Sequence, residues 1–458
     1  MKRILLTVLG ILVGAAAIVA IYRFGFRKSI PDAPLSEQVV AILKQNDCYV
    51  CHARTPELPF YASLPVIGPT IKAHATRAFL FTDLETKTAD INNVDEVTLS
   101  MIDHAVSYGT MPIAQYKMIH WGTGFNKKEK SILAEWVRTS RAALYESHAC
   151  KELANEPVRP MLWEIPYDKD KANLGERMYN DGRLSLDGTI SCASCHILKD
   201  GGVSDPQHRT SEGIYGQFGG VNAPTVYNSY FNVQQFWNGR AADLQQQAAG
   251  PPVNPVEMGD QTWDDIVARL RKDKALVKEF ETLYPGTGLT EATVTDAIAE
   301  FEKTLITPGA RFDLYLRGNE NAISKEELGG YETFKRLGCA TCHTGIILGG
   351  QSFEKVSIYG DYYADRSSDI EYNADDDGLK GFTLNEDDLH RFKVPTLRNI
   401  ALTAPYFHDG SYPTMEEAVK AMAKYQLGKN LSDKEVISIV SFMRTLTGDN
   451  PHLNVITR

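Results

Sequence analysis

The sequence is poor in cysteine and carries no excess of basic residues. Seven cysteines in 458 residues are too few for a disulfide scaffold. Lys and Arg number 48 against 58 Asp and Glu, a net charge of −10, which argues against a nucleic-acid-binding protein. A hydrophobic content of 43% and a charged content of 23% exclude wholesale disorder and fibrous repeats. The length exceeds what one hydrophobic core supports, so we expect roughly two to four domains.

Long apolar runs are missing except at the N terminus. Residues 4–22 form one uncharged apolar run with basic residues on both sides. At about 1.5 Å per residue, a helix of this length just crosses a bilayer core of about 30 Å. Residues 15–17, all alanine, would suit cleavage of a signal peptide, but the apolar core of a signal peptide is shorter, about 7–15 residues. The sequence therefore predicts an uncleaved membrane anchor over residues 1–28.

Six of the seven cysteines fall into three Cys-x-x-Cys-His motifs, the attachment signature of c-type heme. Two thiols on one helical turn bond to the heme vinyl groups, and the adjacent histidine becomes an axial ligand of the iron. Zinc sites would need paired Cys-x-x-Cys units, and a thioredoxin-type motif has no use for the histidine. The motifs are Cys48–Cys51–His52, Cys192–Cys195–His196 and Cys339–Cys342–His343. We predict three covalent c-type hemes, and assign no role to Cys150.

Covalent heme attachment takes place outside the bacterial cytoplasm. The predicted localisation is therefore the bacterial inner membrane, with a single-pass anchor and everything after about residue 29 in the periplasm. The predicted fold is mainly α, with an N-terminal transmembrane helix followed by three cytochrome c-like heme domains. The predicted boundaries are 1–28 for the anchor, 29–150 for the N-terminal heme domain, 160–310 for the middle domain and 311–458 for the C-terminal domain.

Each heme motif is followed by a pattern that predicts a closing helix. Asn126 with Glu129 and Ser432 with Glu435 have the spacing of capping boxes. Apolar residues recur on one face of the sequence after each box. A third helix is predicted from about Thr290 onward.

The sixth iron ligand decides what each heme can do. A His/Met iron is closed to substrate and has a raised potential, which suits electron transfer. For the first heme we predict Met111, with Met118 and His120 as alternatives. For the third heme we predict Met422, with Met415 as the alternative.

The middle heme has two interpretations. If Met258 binds its iron, all three hemes are closed and the protein only conducts electrons. If the iron stays open, the neighbouring Glu257 becomes a candidate proton shuttle. Sequence spacing alone does not choose between them.

From about residue 165 to its end, the sequence resembles the bacterial cytochrome c peroxidases. The matching stretches are LSLDGTISCASCH, GVNAPTVYNS, QFWNGRAADLQQQAAGPPVNPVEM, FKVPTLRNIALTAPYFHDGSYPT and EEAVKAMAKYQLG. The extra N-terminal motif and apolar run resemble the tri-heme, membrane-anchored branch, some members of which oxidise quinol. The resemblance implies a periplasmic enzyme that reduces hydrogen peroxide to water, with the quinol pool or a small cytochrome c as electron donor.

The resemblance also implies a division of labour between two hemes. The heme at His196 would be the peroxidatic one, with Gln247 and Glu257 on its distal side. The heme at His343 would transfer electrons to it, with Met422 as second ligand, and Trp237 would lie between the two.

Further implications concern calcium and the resting state. Family members bind a calcium ion through an asparagine side chain and two backbone carbonyls, which correspond here to Asn222, Thr403 and Pro405. Many members carry a distal histidine that blocks the peroxidatic iron until reduction. That position falls near Ile214, where there is no histidine, and His208 is the nearest one. We expect an iron that is open at rest, with a shifted loop carrying His208 as the alternative.

Two other functions stay open from the sequence. One is a non-catalytic tri-heme electron carrier. The other is a heme enzyme that oxidises a second protein, as related di-heme enzymes do when they mature a protein-derived quinone cofactor. Those enzymes have a tyrosine at the position of Met422, so the methionine here argues against this function.

Residues 373–378 resemble the start of an EF-hand, but Leu384 stands where the closing acid is needed, so a solvated acidic loop is predicted. A homodimer and a monomer are both left open.

Overall fold

The structure is a computed structural model that describes residues 2–25, 29–120, 123–204 and 207–454. Its contacts divide the chain into two compact units, Met1–Glu146 and Ser147–Arg458. Both units are mainly helical. The sheet among the described residues is one antiparallel pair, β1 (Phe353–Lys355) and β2 (Arg391–Lys393), with Glu354 opposite Phe392.

In the first unit, three helices enclose the core. The α-helices are α1 (Lys2–Gly25), α2 (Leu35–Gln45), α3 (Cys48–Cys51), α4 (Gly68–Phe81), α5 (Leu84–Lys87), α6 (Glu96–Tyr108), α7 (Ala114–Ile119) and α8 (Lys127–Leu144). The capping box predicted at Asn126 and Glu129 is confirmed, and it begins α8. Helix α8 packs its apolar face, including Leu133 and Trp136, against α2 and α6. Buried Arg141 of α8 is paired with Glu96 of α6 at 2.8 Å.

In the second unit, two helix pairs repeat one arrangement. The α-helices are α9 (Lys169–Tyr179), α10 (Cys192–Cys195), α11 (Leu244–Ala249), α12 (Trp263–Leu270), α13 (Lys274–Leu283), α14 (Glu291–Lys303), α15 (Arg311–Leu316), α16 (Lys325–Leu337), α17 (Tyr362–Asp365), α18 (Lys380–Thr383), α19 (Met415–Leu427) and α20 (Asp433–Met443). Helix α9 packs on α14, and α16 packs on α20. A Cβ atom on Gly175 would lie 1.8 Å from the carbonyl oxygen of Ala297, and one on Gly330 would lie 2.0 Å from that of Ser438. Only glycine allows either close approach.

The membrane anchor predicted over residues 1–28 is wrong. Crossing a bilayer takes about 20 consecutive apolar residues. No helix within the described residues is both long and apolar enough for this, so the predicted transmembrane helix and the single-pass inner-membrane localisation are not supported. Residue 1 and residues 26–28 of the predicted anchor lie outside the described residues.

Candidate functional site

Each Cys-x-x-Cys-His motif begins with a single helical turn. The first two turns are α3 and α10, and the third is a 3-10 turn over Cys339–Thr341. The backbone N–H of each histidine donates to the carbonyl of the first cysteine of its motif, at 2.9 to 3.1 Å. All six cysteines are half-buried thiols. Each turn therefore presents two thiols and an imidazole together.

The three histidine rings are oriented alike. In each ring, Nδ1 lies 3.1 to 3.3 Å from a backbone carbonyl oxygen: Thr82 for His52, Gly202 for His196 and Leu348 for His343. A carbonyl only accepts, so Nδ1 carries the proton and Nε2 keeps a lone pair for a metal. Burial lowers the pKa of all three rings, to about 4 for His343, which favours the neutral form. These residues fit covalently attached c-type hemes.

Glu257 lies beside the second motif. Its carboxylate charge raises the pKa of both Cys195 and Cys192. The side-chain amide of Asn254 donates to Glu257 Oε1 at 2.8 Å. Burial raises the pKa of Glu257, Arg240 opposes that rise, and Asp375 adds to it. The carboxyl group is therefore held in place, and its raised pKa makes it a better proton acceptor than an exposed glutamate.

Gln247 and Met258 differ in their surroundings. Gln247 is half-buried on α11, and its side-chain amide makes no hydrogen bond to the described residues, so its donors remain available. Met258 is 2% exposed and belongs to the hydrophobic core cluster built around α9 and α14. Its position in the core favours the interpretation in which it does not bind the second iron.

Two residues near Glu257 were not found from the sequence. Asp375 and Arg240 both act electrostatically on Glu257, although Asp375 is distant in the chain. The loop carrying Asp375 is also held by Asn373, whose amide donates to the carbonyl of Gly220. The prediction of a fully solvated acidic loop is wrong, because Asp376 is 1% exposed and paired with Arg366 and His408.

The loop of residues 211–218 packs over the same site. The backbone N–H of Ile214 donates to the carbonyl of Glu257 at 3.0 Å, and Ile214 is fully buried. His208 is exposed and its ring lies 5.2 Å from the ring of Phe218.

Trp237 connects the segments that hold the second and third motifs. Its indole N–H donates to the carbonyl of Asn222 at 2.8 Å, and its own carbonyl accepts from the N–H of Lys393 at 2.8 Å. Two residues further along each segment, the carbonyls of Pro224 and Pro395 reach the rings of His196 and His343. Trp237 is thus bonded to both histidine-supporting segments.

These two segments belong to an internal repeat that was not identified from the sequence. Residues 221–241 and 392–412 align without gaps. Both segments contain Pro-Thr-x-x-Asn followed by Phe-x-[Asn/Asp]-Gly. Asn228 and Asn399 both adopt a left-handed backbone conformation, with φ of 62° and 59°. Their side-chain amides donate to the same hydroxyl of Thr307, at 2.9 and 3.1 Å. The shared Pro-Thr and Asn positions would have revealed the repeat.

The methionine candidates fall into different environments. Met118 is 74% exposed, whereas Met111 and Met422 are half-buried. Met415 packs in the core cluster around α16 and α20. His120 is buried, stacks on Tyr116 at 3.9 Å and is hydrogen-bonded to Tyr61. Met111 and Met422 remain the predicted ligands.

Two of the three predicted calcium residues, Asn222 and Pro405, come together. The side-chain amide of Asn222 lies 2.7 Å from the carbonyl oxygen of Pro405 and 3.3 Å from that of Phe407. Thr403 is two residues before Pro405 in the chain. Because amide O and N are interchangeable in assignment, the reversed amide would present an oxygen beside backbone carbonyls. Such hard oxygen ligands fit calcium.

A buried acid near the second motif was also missed. Glu302 on α14 acts electrostatically on Cys192, and burial raises its pKa to about 8. Its Oε2 atom has no hydrogen-bond partner among the described residues. Periodicity places position 302 on a helix but does not show that a charged residue there faces inward.

Comparison with known proteins gives consistent matches. A family model described as "Di-haem cytochrome c peroxidase" matches residues 169–321, and one described as "Haem-binding domain" matches residues 27–139. The Cytochrome c peroxidase Ccp of Escherichia coli K12 is 44% identical over 425 residues, covering 90% of this chain and 88% of the relative. The Cytochrome c551 peroxidase of Nitrosomonas europaea is 44% identical over 325 residues, covering 70% and 93%. A solved MauG-like protein associated with microbial copper homeostasis is 28% identical, with a TM-score of 0.54, covering 65% and 96%.

These matches correct the predicted fold class. The matched families are a di-heme peroxidase and a heme-binding domain, so the prediction of three cytochrome c-like heme domains in series is wrong. In physical terms, the second and third motifs lie in one compact unit, whose halves share buried contacts such as those at Thr307. The mainly helical character is confirmed.

Proposed function

This chain belongs to the bacterial di-haem cytochrome c peroxidase family and is a heme-dependent peroxidase, and we propose that it reduces hydrogen peroxide to water at the heme held by Cys192, Cys195 and His196. The observation that carries the assignment is the placement of Glu257 beside that motif, while Met258 is taken up by the core. When bound, the heme supplies an iron with a free position for peroxide and the capacity to take up electrons.

Glu257 and Gln247 perform the proton work in this proposal. As a carboxylate, Glu257 takes a proton from one oxygen of peroxide and returns it to the other, so that the departing oxygen leaves as water. Asn254 fixes the carboxyl group through its 2.8 Å hydrogen bond. The free amide of Gln247 donates a hydrogen bond to peroxide without competing for its proton. Two electrons and two further protons complete the reduction to two water molecules.

We further propose that three hemes, one at each motif, serve the reaction. The heme at His343, with Met422, would pass electrons toward His196 by way of Trp237, which is bonded to both supporting segments. The heme at His52, with Met111, would receive electrons from a small cytochrome c or from quinol. Steady-state turnover measured with each donor in turn distinguishes these two sources.

The exposed position of His208 supports a peroxidatic site that is open without prior reduction. The oxidised protein as isolated should then show a high-spin heme and bind cyanide at once. A fully low-spin spectrum that changes only after half-reduction would contradict this.

The central experiment mixes the fully reduced protein with hydrogen peroxide and follows the heme absorbance. The hemes should be oxidised within the mixing time, with two electrons consumed per peroxide. A non-catalytic electron carrier would instead be oxidised slowly and without that stoichiometry. Heme content per chain, measured on the same sample, tests the number of three independently.

A further inference from the structure

Lys393 is a buried cation without a carboxylate partner among the described residues. It is 6% exposed, at the end of β2. Burial alone lowers the pKa of its ammonium group, to about 7. Its backbone N–H donates to the carbonyl of Trp237, but this bond does not neutralise the charge of the side chain.

The other deeply buried cations of the described chain are all paired. Arg141 has Glu96 at 2.8 Å, and Arg398 has Asp313 at 2.7 Å. Arg366 has two carboxylates, those of Asp376 and Asp409, at 2.9 and 3.0 Å. The fold therefore neutralises buried charge wherever its own side chains can do so. Burial of an unpaired ammonium group is unfavourable, so a counter-charge from outside the polypeptide is expected.

The nearby carboxylates are on the wrong side of the strand. Side chains alternate between the faces of a strand, and Phe392 stacks on His408 at 4.1 Å. The His408 cluster with its acids thus lies on the Phe392 face. Glu354 is paired with Phe392 across the hairpin, and cross-strand partners share a face. Lys393 points to the opposite face, opposite Phe353 in register.

The position of Lys393 in the chain identifies the missing anion. Two residues further along, the carbonyl of Pro395 reaches the ring of His343. A heme bound at that motif would bring two ionised carboxylates, its propionates, into this buried part of the chain. We propose that the ammonium of Lys393 binds a propionate carboxylate of the heme attached at Cys339 and Cys342. This rests on the proposed heme at that motif.

The charge pair would set the electron affinity of that heme. Without the ammonium, a negative propionate remains unneutralised close to the iron and stabilises its oxidised form. The reduction potential should therefore fall when the charge of Lys393 is removed. At low dielectric the effect of a single charge is large, and we expect at least about a tenfold change in the one-electron equilibrium constant, equivalent to about 59 mV.

The experiment is a redox titration of the holoenzyme and of Lys393→Met, Lys393→Arg and Lys355→Met. Lys355 lies on the other strand of the hairpin and donates to the carbonyl of Leu389, so it is a matched control. Lys393→Met should lower the potential of the His343 heme, whereas Lys393→Arg and Lys355→Met should leave it near the original value. Lys393→Gln replaces the methionine variant if that protein does not accumulate.

Heme content and potential separate the two proposals. Absence of heme at Cys339 and Cys342 in the unmodified protein would remove the proposed function of that motif. With the heme present, an unchanged potential in Lys393→Met, or a shift confined to the His196 heme, would overturn the assignment of Lys393.

Discussion

The indole N–H of Trp237 donates to the backbone carbonyl of Asn222 at 2.8 Å. This bond fixes the ring plane against the segment whose Pro224 carbonyl reaches His196. Because the acceptor is backbone, the arrangement does not depend on the identity of the side chain at position 222. The orientation of the aromatic ring between the two motifs is thus determined by the fold.

Replacing Trp237 by Phe should slow electron flow between the second and third hemes. The variant keeps an aromatic ring but loses the hydrogen bond, at a cost of about 1 kcal/mol in stability. Rapid mixing with peroxide should show the His343 heme oxidised later than in the unmodified protein. Trp263→Phe is the matched control, because Trp263 loses an equivalent bond to Ala249 at 2.9 Å elsewhere in the unit. Equal rates in both variants would exclude a role for Trp237.

Replacing Glu257 by Gln should slow the reaction with peroxide roughly 10²-fold or more, because the proton acceptor is lost. The exposed Glu281→Gln should have no effect. In the unmodified protein the rate should rise with pH through the pKa of Glu257, since the ionised form is the active one. An unaltered rate in the Glu257 variant would remove this residue from the mechanism.

Asp375 and Arg240 should shift that pH profile in opposite directions. Asp375 raises the pKa of Glu257 and Arg240 lowers it. Asp375→Asn should therefore move the rise in rate to lower pH, and Arg240→Gln should move it to higher pH. Stopped-flow rates across the pH range measure both shifts, and profiles that coincide with the original would show that neither charge acts on the reaction.

Glu302 should make the protein less stable as pH rises. Burial raises its pKa from 4.5 to about 8, so between these values the folded state keeps a proton that the unfolded state has lost. Stability then falls with pH by up to about 1.4 kcal/mol per unit. Glu302→Gln should remove this dependence. The free energy of unfolding of the variant, relative to that of the unmodified protein, should therefore increase from pH 4.5 to 8. Parallel pH curves in denaturant titrations would contradict the prediction.

Calcium should stabilise the protein if Asn222, Thr403 and Pro405 bind it. At a free concentration of one hundred times the dissociation constant, the gain is about 2.7 kcal/mol. Addition of a chelator should lower the melting temperature of the unmodified protein but not of Asn222→Ala. The exposed Asn180→Ala should respond to the chelator as the unmodified protein does. Equal responses in all three would show that calcium acts elsewhere.

Local patterns in the sequence predicted much of the helical structure. The capping boxes at Asn126 and Ser432 begin α8 and α20 as expected, because a box satisfies backbone donors within one turn. The Cys-x-x-Cys-His turns were likewise predictable, since their chemistry requires adjacency in the chain.

Contacts between distant segments were not predictable from these patterns. Asp375 acts on Glu257 only because the folded chain brings their loops together. Asp376 was predicted to be solvated, yet it is buried by Arg366 and His408. Composition indicates that an acidic loop prefers water, but it does not show that a buried arginine and histidine will pair with one of its acids.

The hydroxyl of Thr307 accepts from one asparagine of each repeat, and its backbone N–H donates to Asn228 at 2.9 Å. Thr307 can stay with only one repeat if the two separate, so the buried asparagine amide of the other repeat would lose this acceptor, which is unfavourable. We therefore expect the two repeats to unfold in a single cooperative transition, and neither is expected to survive as an excised fragment.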